Sequence, residues 1–425
     1  MVNLAIIGSG IGGCSAAYFA RQYFPNSKIT VYEMDKRVGG RILTHHYGNN
    51  QIELGAAFFN FNNRILSDLI KEIKLKVKKI QESNNIAIWN GTEIVFKANQ
   101  PTFYNILKLI GDYKLNTPKL LIILKEAKEK IKKLYNQKPA EFWEIFENVG
   151  LDKWYKQRFD KILIDLGIDK KFIDEIITPI VRIIYSQEAS IGGFAGLSSL
   201  LGVYGESIYS LSEGNDVLPR KLIEKSNSDL KLNNKVESIE KTSKDTFRVI
   251  SKNKNSIFDG VIIATPIETT KVRIDEITNI EPQFREYEKI YIKIIEGEIN
   301  FRFFNLNKSD ELPSIMLTSN EVDPITRFSI NKSEGRKPMV AITSKKPIDN
   351  NILDEIFKNG ITLLDHVWNA AYPIFKPMKR LPSSFLSKKL IYLNAIESAS
   401  SSMESSAFAA LNSIKIMKEQ ISNSA

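Results

Sequence analysis

The chain has 425 residues, 43% of them hydrophobic and 25% charged, a balance that fits a folded protein of two or three domains. Lys and Arg outnumber Asp and Glu by 59 to 49, a net +10. The lysines are scattered among acids and asparagines, which argues against a nucleic-acid partner and leaves a membrane-surface contact open but unsupported. Cys14 is the only cysteine, and His45, His46 and His366 are the only histidines, so neither an internal disulfide nor zinc-ligand spacing is present.

The first predicted element is the apolar run "LAII", a buried parallel strand beginning almost at Met1. That start leaves no room for a secretory leader, and no apolar run reaches the ~18 residues of a membrane-spanning helix. A cytoplasmic location is therefore expected. After the strand, Gly8, Gly10 and Gly13 form G-x-G-x-x-G, "CSAAYFARQYF" continues as a helix, and the strand "KITVYE" ends on Glu33. This order is the dinucleotide-binding fingerprint. Gly8 permits the turn, Gly10 clears the path of a pyrophosphate, and Gly13 lets helix and strand approach. The helix N-terminus offers donors to phosphate, and Glu33 offers acceptors to an adenosine ribose while repelling a 2′-phosphate. Cys14, in the first helical turn, is expected to be a packing residue.

NAD and FAD share this fingerprint. Gly39, Gly40 and Arg41 resemble the G-G-R segment that follows it in flavoprotein oxidases and desaturases, where the arginine lies near the cofactor's phosphates. "ELGA", residues 53 to 56, resembles the turn that passes the flavin. Together these resemblances favour FAD.

From about residue 64 to 190 the apolar spacing is mostly helical. "LLIILKEAKEKIKKLY" is expected to be a helix packed on one face with its lysines in water. "IGGFAGLSSLLGVYG" suits close packing against a flat ligand or against another helix. Strands follow at "LKLNNKVESIEK" and "TFRVISK". "FDGVIIATPIE" then resembles the strand that rejoins the nucleotide-binding sheet in flavoprotein oxidoreductases. Residues 285 to 345 are expected to form a second, largely antiparallel sheet.

The carboxyl-terminal part carries the most specific likeness. "HVWNAAYPIFKP" and "LIYLNAIESASSSMESSAFAAL" resemble the corresponding region of the prenylcysteine oxidase (prenylcysteine lyase) family, and "IGGFAGLSSLLGVYGESIYSLSEGN", "KIYIKIIEGEIN" and "ELPSIMLTSNEVDPITRFSI" resemble family segments in the same order. The resemblance implies an α/β fold, with a Rossmann-type FAD-binding domain of the glutathione-reductase and amine-oxidase kind and an inserted α+β substrate domain. Residues 1–80, 205–268 and 360–425 are expected in the first, and residues 81–204 and 269–359 in the second.

The same resemblance implies FAD held by Gly8, Gly10, Gly13, Glu33, Gly40, Arg41, Glu397 and Met403, the last at the start of a helix aimed at the flavin. It implies oxidative cleavage of a prenyl thioether, with molecular oxygen as acceptor, to an aldehyde, free cysteine and hydrogen peroxide. Trp368, Tyr372 and Phe375 are candidates for lining the cleft; no catalytic base and no metal is required. Two departures from the family pattern, Glu213 before Gly214-Asn215 and Asn60 after the "ELGA" turn, leave FAD binding in place and the substrate open. Another flavin oxidoreductase, of the amine oxidase or isoprenoid desaturase kind, shares the fingerprint and closing helix and is the first alternative, and Glu213 keeps a second, a flavin-binding lipid carrier without turnover.

Overall fold

The computed structural model describes all residues except 49, 81–85, 99–101, 204–206, 253, 276–284, 333–336 and 424–425. A six-stranded sheet is seeded by the strand Asn3–Ile7, whose apolar residues are almost wholly buried. It pairs in parallel with Lys28–Tyr32 on one side and Gly260–Ile263 on the other. Asp229–Lys231, Leu390–Tyr392 and Phe385–Ser387 complete the sheet, and only the last runs antiparallel. Strands covered on both faces read as continuous apolar runs, which is how "LAII" and "GVII" appear. The helix Ile11–Tyr23 packs on this sheet between the helices Val217–Ser226 and Met403–Ser422. Segments from the beginning, middle and end of the chain thus form one nucleotide-binding domain.

A second sheet has seven strands, in the order Phe357–Pro373, Tyr287–Ile299, Met339–Ser344, Ile325–Asn331, Ile315–Thr318, Ile86–Trp89 and Ile94–Ala98. It is antiparallel except where Ile86–Trp89 joins Ile315–Thr318. One face packs Trp89, Phe304, Met316, Phe328 and Ile342 into a separate core. The other carries Ile290, Ile292 and Ile294, which cluster with Leu54 of the first domain. The sheet is therefore docked on the cofactor domain through this second face.

One expectation needs correction here. Residue 360 falls within the strand Phe357–Pro373, so residues 360–373 belong to the second sheet and the last stretch of the cofactor domain begins beyond Pro373. The region from 64 to 190 is mostly helical, as its periodicity implies, and also contains the hairpin of Ile86–Trp89 and Ile94–Ala98. The Asn90-Gly91 pair in its turn, with Gly91 at φ +98°, is the short-range hairpin signal that helical spacing on either side obscures.

The lysine-rich helix Asn116–Leu134 behaves as expected, burying Leu120, Leu124 and Ala127 on one face. The small-residue helix Gly193–Val203 serves tight packing: a Cβ at Gly196 would stand 2.2 Å from the Phe159 ring, and one at Gly193 would stand 2.4 Å from the Trp154 carbonyl oxygen. Among the described residues, no helix is long and apolar enough to cross a membrane.

Candidate cofactor and substrate site

The glycines of the first turn occupy sterically distinct positions. Gly8 has φ +101°, and a Cβ there would lie 2.9 Å from the Ala264 carbonyl oxygen; at Gly13 it would lie 1.9 Å from the Gly8 oxygen. These two glycines let strand, turn and helix close on one another. Gly10 differs, since a Cβ there would meet nothing within 4 Å. Gly10 is the N-cap of the helix Ile11–Tyr23, and no side chain caps that helix although Ile11, Gly12 and Gly13 are buried. A buried, uncapped helix start beside open space suits an anionic ligand. Gly40, at φ +53°, lies against it, its Cβ position 3.1 Å from the Gly10 Cα.

Glu33 is 7% exposed. Its Oε2 accepts from the Ser9 amide at 2.8 Å and the Ser9 hydroxyl at 2.7 Å, and its Oε1 accepts from the Asp35 amide at 2.9 Å. A carboxylate offers about four acceptor positions, so Glu33 can take a further donor while holding the glycine turn in place. Cys14 is fully buried, donates weakly to the Ser9 carbonyl and has a thiol pushed up by burial. Its surroundings are those of a packing residue.

Arg41 joins this turn to the far end of the chain. It donates to the Ala371 carbonyl at 3.1 Å and pairs with Glu397. Glu397 is fully buried and also accepts from Asn394 at 3.0 Å and from the Tyr287 hydroxyl at 3.1 Å. A second pair, Arg285 with Glu268 at 2.7 Å, lies alongside. Arg285 also donates to the Tyr392 hydroxyl and, at 2.7 Å, to the Asn394 carbonyl. Sequence reasoning missed Arg285, Tyr287 and Glu268, because nothing in their local spacing separates them from ordinary surface residues.

The small residues after Glu397 lead into the helix Met403–Ser422. Met403 is buried, and Ser402 and Ser405 form a reciprocal capping box. The amides of Met403 and Glu404 are left without an intrahelical acceptor. Glu404 turns away to cap another helix, accepting from Ile65 N at 3.0 Å and Leu66 N at 2.8 Å. Burial raises its carboxyl to about 7.

The "ELGA" turn packs against the G-G-R segment: a Cβ at Gly55 would stand 2.0 Å from the Arg41 carbonyl oxygen. Glu53 accepts from Thr44 and from the Asn215 amide, both at 2.9 Å, and burial raises its carboxyl to about 7. Neither family departure disturbs this region. Glu213 is exposed, and Asn60 is buried with its amide donating to the Gly202 carbonyl at 3.2 Å, at the end of the small-residue helix.

The three aromatic candidates divide. Trp368 donates from Nε1 to the Leu54 carbonyl at 2.6 Å, tying the second sheet to the "ELGA" turn. Tyr372 and Phe375 meet through Tyr185, whose ring centroid lies 5.1 Å from one and 4.8 Å from the other. Phe375 also borders a depression of about 560 Å³ with Arg285, Lys376, Met378 and Ser398. Trp368 packs on the apolar cluster of the docking face, Tyr372 packs on both that cluster and the main core, and Phe375, 4% exposed, sits in the main core.

Residues 96–425 match the family model described as prenylcysteine lyase, and residues 6–73 match that of an NAD(P)-binding Rossmann-like domain. This chain belongs to the prenylcysteine lyase family. Family relatives include the farnesylcysteine lyase of Arabidopsis thaliana, 28% identical over 99% of this chain and 90% of the relative, and the prenylcysteine oxidase 1 of Bos taurus, 27% identical over 96% and 87%. Among solved structures the chain resembles cyclohexylamine oxidase from Brevibacterium oxydans, with TM-score 0.67, 13% identity and 99% of each chain covered. It also resembles a double mutant of putrescine oxidase, with TM-score 0.69, 14% identity and 99% of each chain covered. The prenylcysteine lyase family member described here thus has the amine-oxidase-like fold: a Rossmann-type domain with a second sheet docked over it.

Proposed function

We propose that this protein is an FAD-dependent oxidase that cleaves the thioether of an S-prenylcysteine. The observation that carries the reading is the family match over residues 96–425, supported by relatives named for prenylcysteine and farnesylcysteine. The balance is thioether plus water plus molecular oxygen to aldehyde, free cysteine and hydrogen peroxide. The carbon next to sulfur is oxidised, the C–S bond breaks, and oxygen takes both electrons. FAD, when bound, supplies the two-electron acceptor that passes those electrons to oxygen.

The residues fit such a cofactor. The open face of Gly10 and the uncapped helix start would take the pyrophosphate, with Gly8 and Gly13 shaping the turn and Gly40 allowing Arg41 to approach. Glu33 would accept from the adenosine ribose. Glu397 holds the Arg41 guanidinium in place, and the amides at Met403 lie at a positive helix end suited to an electron-rich ring system. Trp368 and Tyr372, partly exposed beside the buried Ile290, Ile292 and Ile294, would lie along a prenyl chain and help exclude bulk water.

The test is the visible absorbance spectrum of the purified protein under anaerobic conditions, before and after addition of farnesylcysteine. A flavin band that bleaches and returns with oxygen is expected. A flavin band that persists in the presence of farnesylcysteine overturns the substrate assignment, and a protein that binds no flavin overturns the reading as a whole.

A further inference from the structure

The arginines of the interior are treated unequally. Arg41, Arg182 and Arg285 each have a carboxylate partner, in Glu397, in Glu188 and Asp323, and in Glu268. Arg327 has none among the described residues. Its one hydrogen bond runs from Nη2 to the Thr343 hydroxyl at 3.1 Å, and its Nε is buried without a partner. A cation in largely apolar surroundings is costly unless something compensates it.

Register shows where Arg327 points. His366, Ile292, Thr343, Arg327, Leu317 and Ile88 are direct partners across six neighbouring strands, and directly opposed residues share a face. Ile292 belongs to the cluster holding Leu54, Trp368 and Tyr372, while Leu317 and Ile88 belong to the main core. The next residue, Phe328, faces the opposite way into the separate core. Arg327 therefore lies on the docking face, in the gap between two apolar clusters. The carbonyl of Ile325, two residues earlier on the same strand, accepts from Arg182 at 3.1 Å, and Tyr185, on the helix Thr178–Tyr185 that carries Arg182, packs on Tyr372 and stands 3.3 Å from the Ser400 hydroxyl of the closing segment, so the strand of Arg327 adjoins the elements that frame the proposed cofactor site.

We propose that Arg327 is the binding residue for the α-carboxylate of the cysteine half of the substrate. This rests on the S-prenylcysteine reading above and deepens it. A guanidinium matches a carboxylate in charge and in its fork of donors. The neighbouring isoleucines suit the hydrocarbon half, so one sheet face can read both ends of an amphipathic amino acid. The free acid, rather than an ester or an internal residue of a peptide, is then the form accepted.

The experiment uses the flavin-loaded full chain, and measures the concentration of farnesylcysteine and of its methyl ester that half-saturates anaerobic flavin reduction. Wild type should favour the acid at least tenfold. Arg327→Met should raise the half-saturating acid concentration at least tenfold while leaving the ester within threefold, with Arg327→Lys falling between. FAD affinity should be unchanged in both variants. Equal use of acid and ester by wild type overturns the assignment even if Arg327→Met fails to fold, and so does a loss in Arg327→Met that is the same for both compounds. A wild-type flavin reduced by neither compound instead overturns the S-prenylcysteine reading, and this assignment with it.

Discussion

Gly10 and Gly13 lie three residues apart in the same turn, yet the same substitution should have opposite consequences at the two. At Gly13 a methyl group would stand 1.9 Å from the Gly8 carbonyl oxygen, far inside the ~3.5 Å of ordinary contact, so the helix would have to withdraw from the strand by roughly 1.5 Å. Overpacking of this kind costs about 1–3 kcal/mol, against about 1 kcal/mol gained from alanine's helix propensity. Gly13→Ala is therefore expected to unfold at lower urea, and to lose FAD because the turn is distorted. At Gly10 the methyl meets nothing within 4 Å, and the backbone, at φ −66° and ψ 179°, accepts any residue. The entropy gained by removing a glycine, about 0.4–1 kcal/mol, roughly offsets alanine's inferiority at an N-cap. Gly10→Ala should therefore keep the wild-type urea midpoint of the FAD-stripped protein within about 1 kcal/mol, while weakening FAD about tenfold or more by standing where the pyrophosphate would lie, a loss of about 1.4 kcal/mol. Urea unfolding of the stripped protein and titration of FAD fluorescence separate the two effects. A folded Gly10→Ala protein that binds FAD as tightly as wild type would refute the placement of the pyrophosphate.

Glu33→Ala should weaken FAD and also destabilise the stripped protein by about 1–3 kcal/mol, because the buried Ser9 amide loses its acceptor; FAD titration and urea unfolding check both, and unchanged FAD affinity would remove Glu33 from the cofactor site. Arg41→Met leaves the fully buried Glu397 carboxylate without its cation, a loss of about 3–5 kcal/mol, and the double variant with Glu397→Gln should recover part of it; a double-mutant cycle with no coupling would contradict the pairing. Glu404 has a carboxyl raised by burial to about 7 in the folded state, above its unfolded value near 4.3. The folded state therefore holds that proton more tightly: its contribution to stability is fully present below the unfolded value and is lost as pH rises through about 7, by on the order of 3 kcal/mol. Urea midpoints measured across that range should fall less steeply for Glu404→Gln than for wild type, and parallel curves would show that Glu404 does not titrate there.

The nucleotide-binding half was legible because its demands are local. A buried parallel strand, a turn too crowded for side chains and an acid at the end of the next strand all leave marks within 33 residues, and the comparison with amine oxidases supports the fold they announce. The second sheet was legible only in its long antiparallel strands. Its hairpin Ile86–Trp89 and Ile94–Ala98 is short and flanked by helical spacing, and its edge strand Phe357–Pro373 runs through the stretch assigned to the cofactor domain. Arg327 shows a different limit. In "ITRFSIN" the alternation places Arg327 opposite Phe328 and Ile330, which reads as an ordinary solvent-facing charge. Only the tertiary arrangement turns that second face into a wall of the interior. Glu397 and Glu404 show the same limit, since their partners, Arg41 and the amides of Ile65 and Leu66, are more than 330 residues away in the chain.

Those long-range partners explain why the closing segment combines small residues with two buried acids. Glu397 takes hold of Arg41 in the G-G-R segment, and Glu404 takes hold of the start of the helix Arg64–Glu72. Between them, serines and alanines keep the chain thin enough to lie against the first helix, where a Cβ at Gly12 would stand 2.9 Å from the Leu393 side chain and in ordinary contact with Ser406. Arg41 also holds the Ala371 carbonyl, two residues beyond the alternating stretch that bears Trp368, and Trp368 holds the Leu54 carbonyl. The same arginine proposed to face the cofactor therefore fixes the edge of the second sheet.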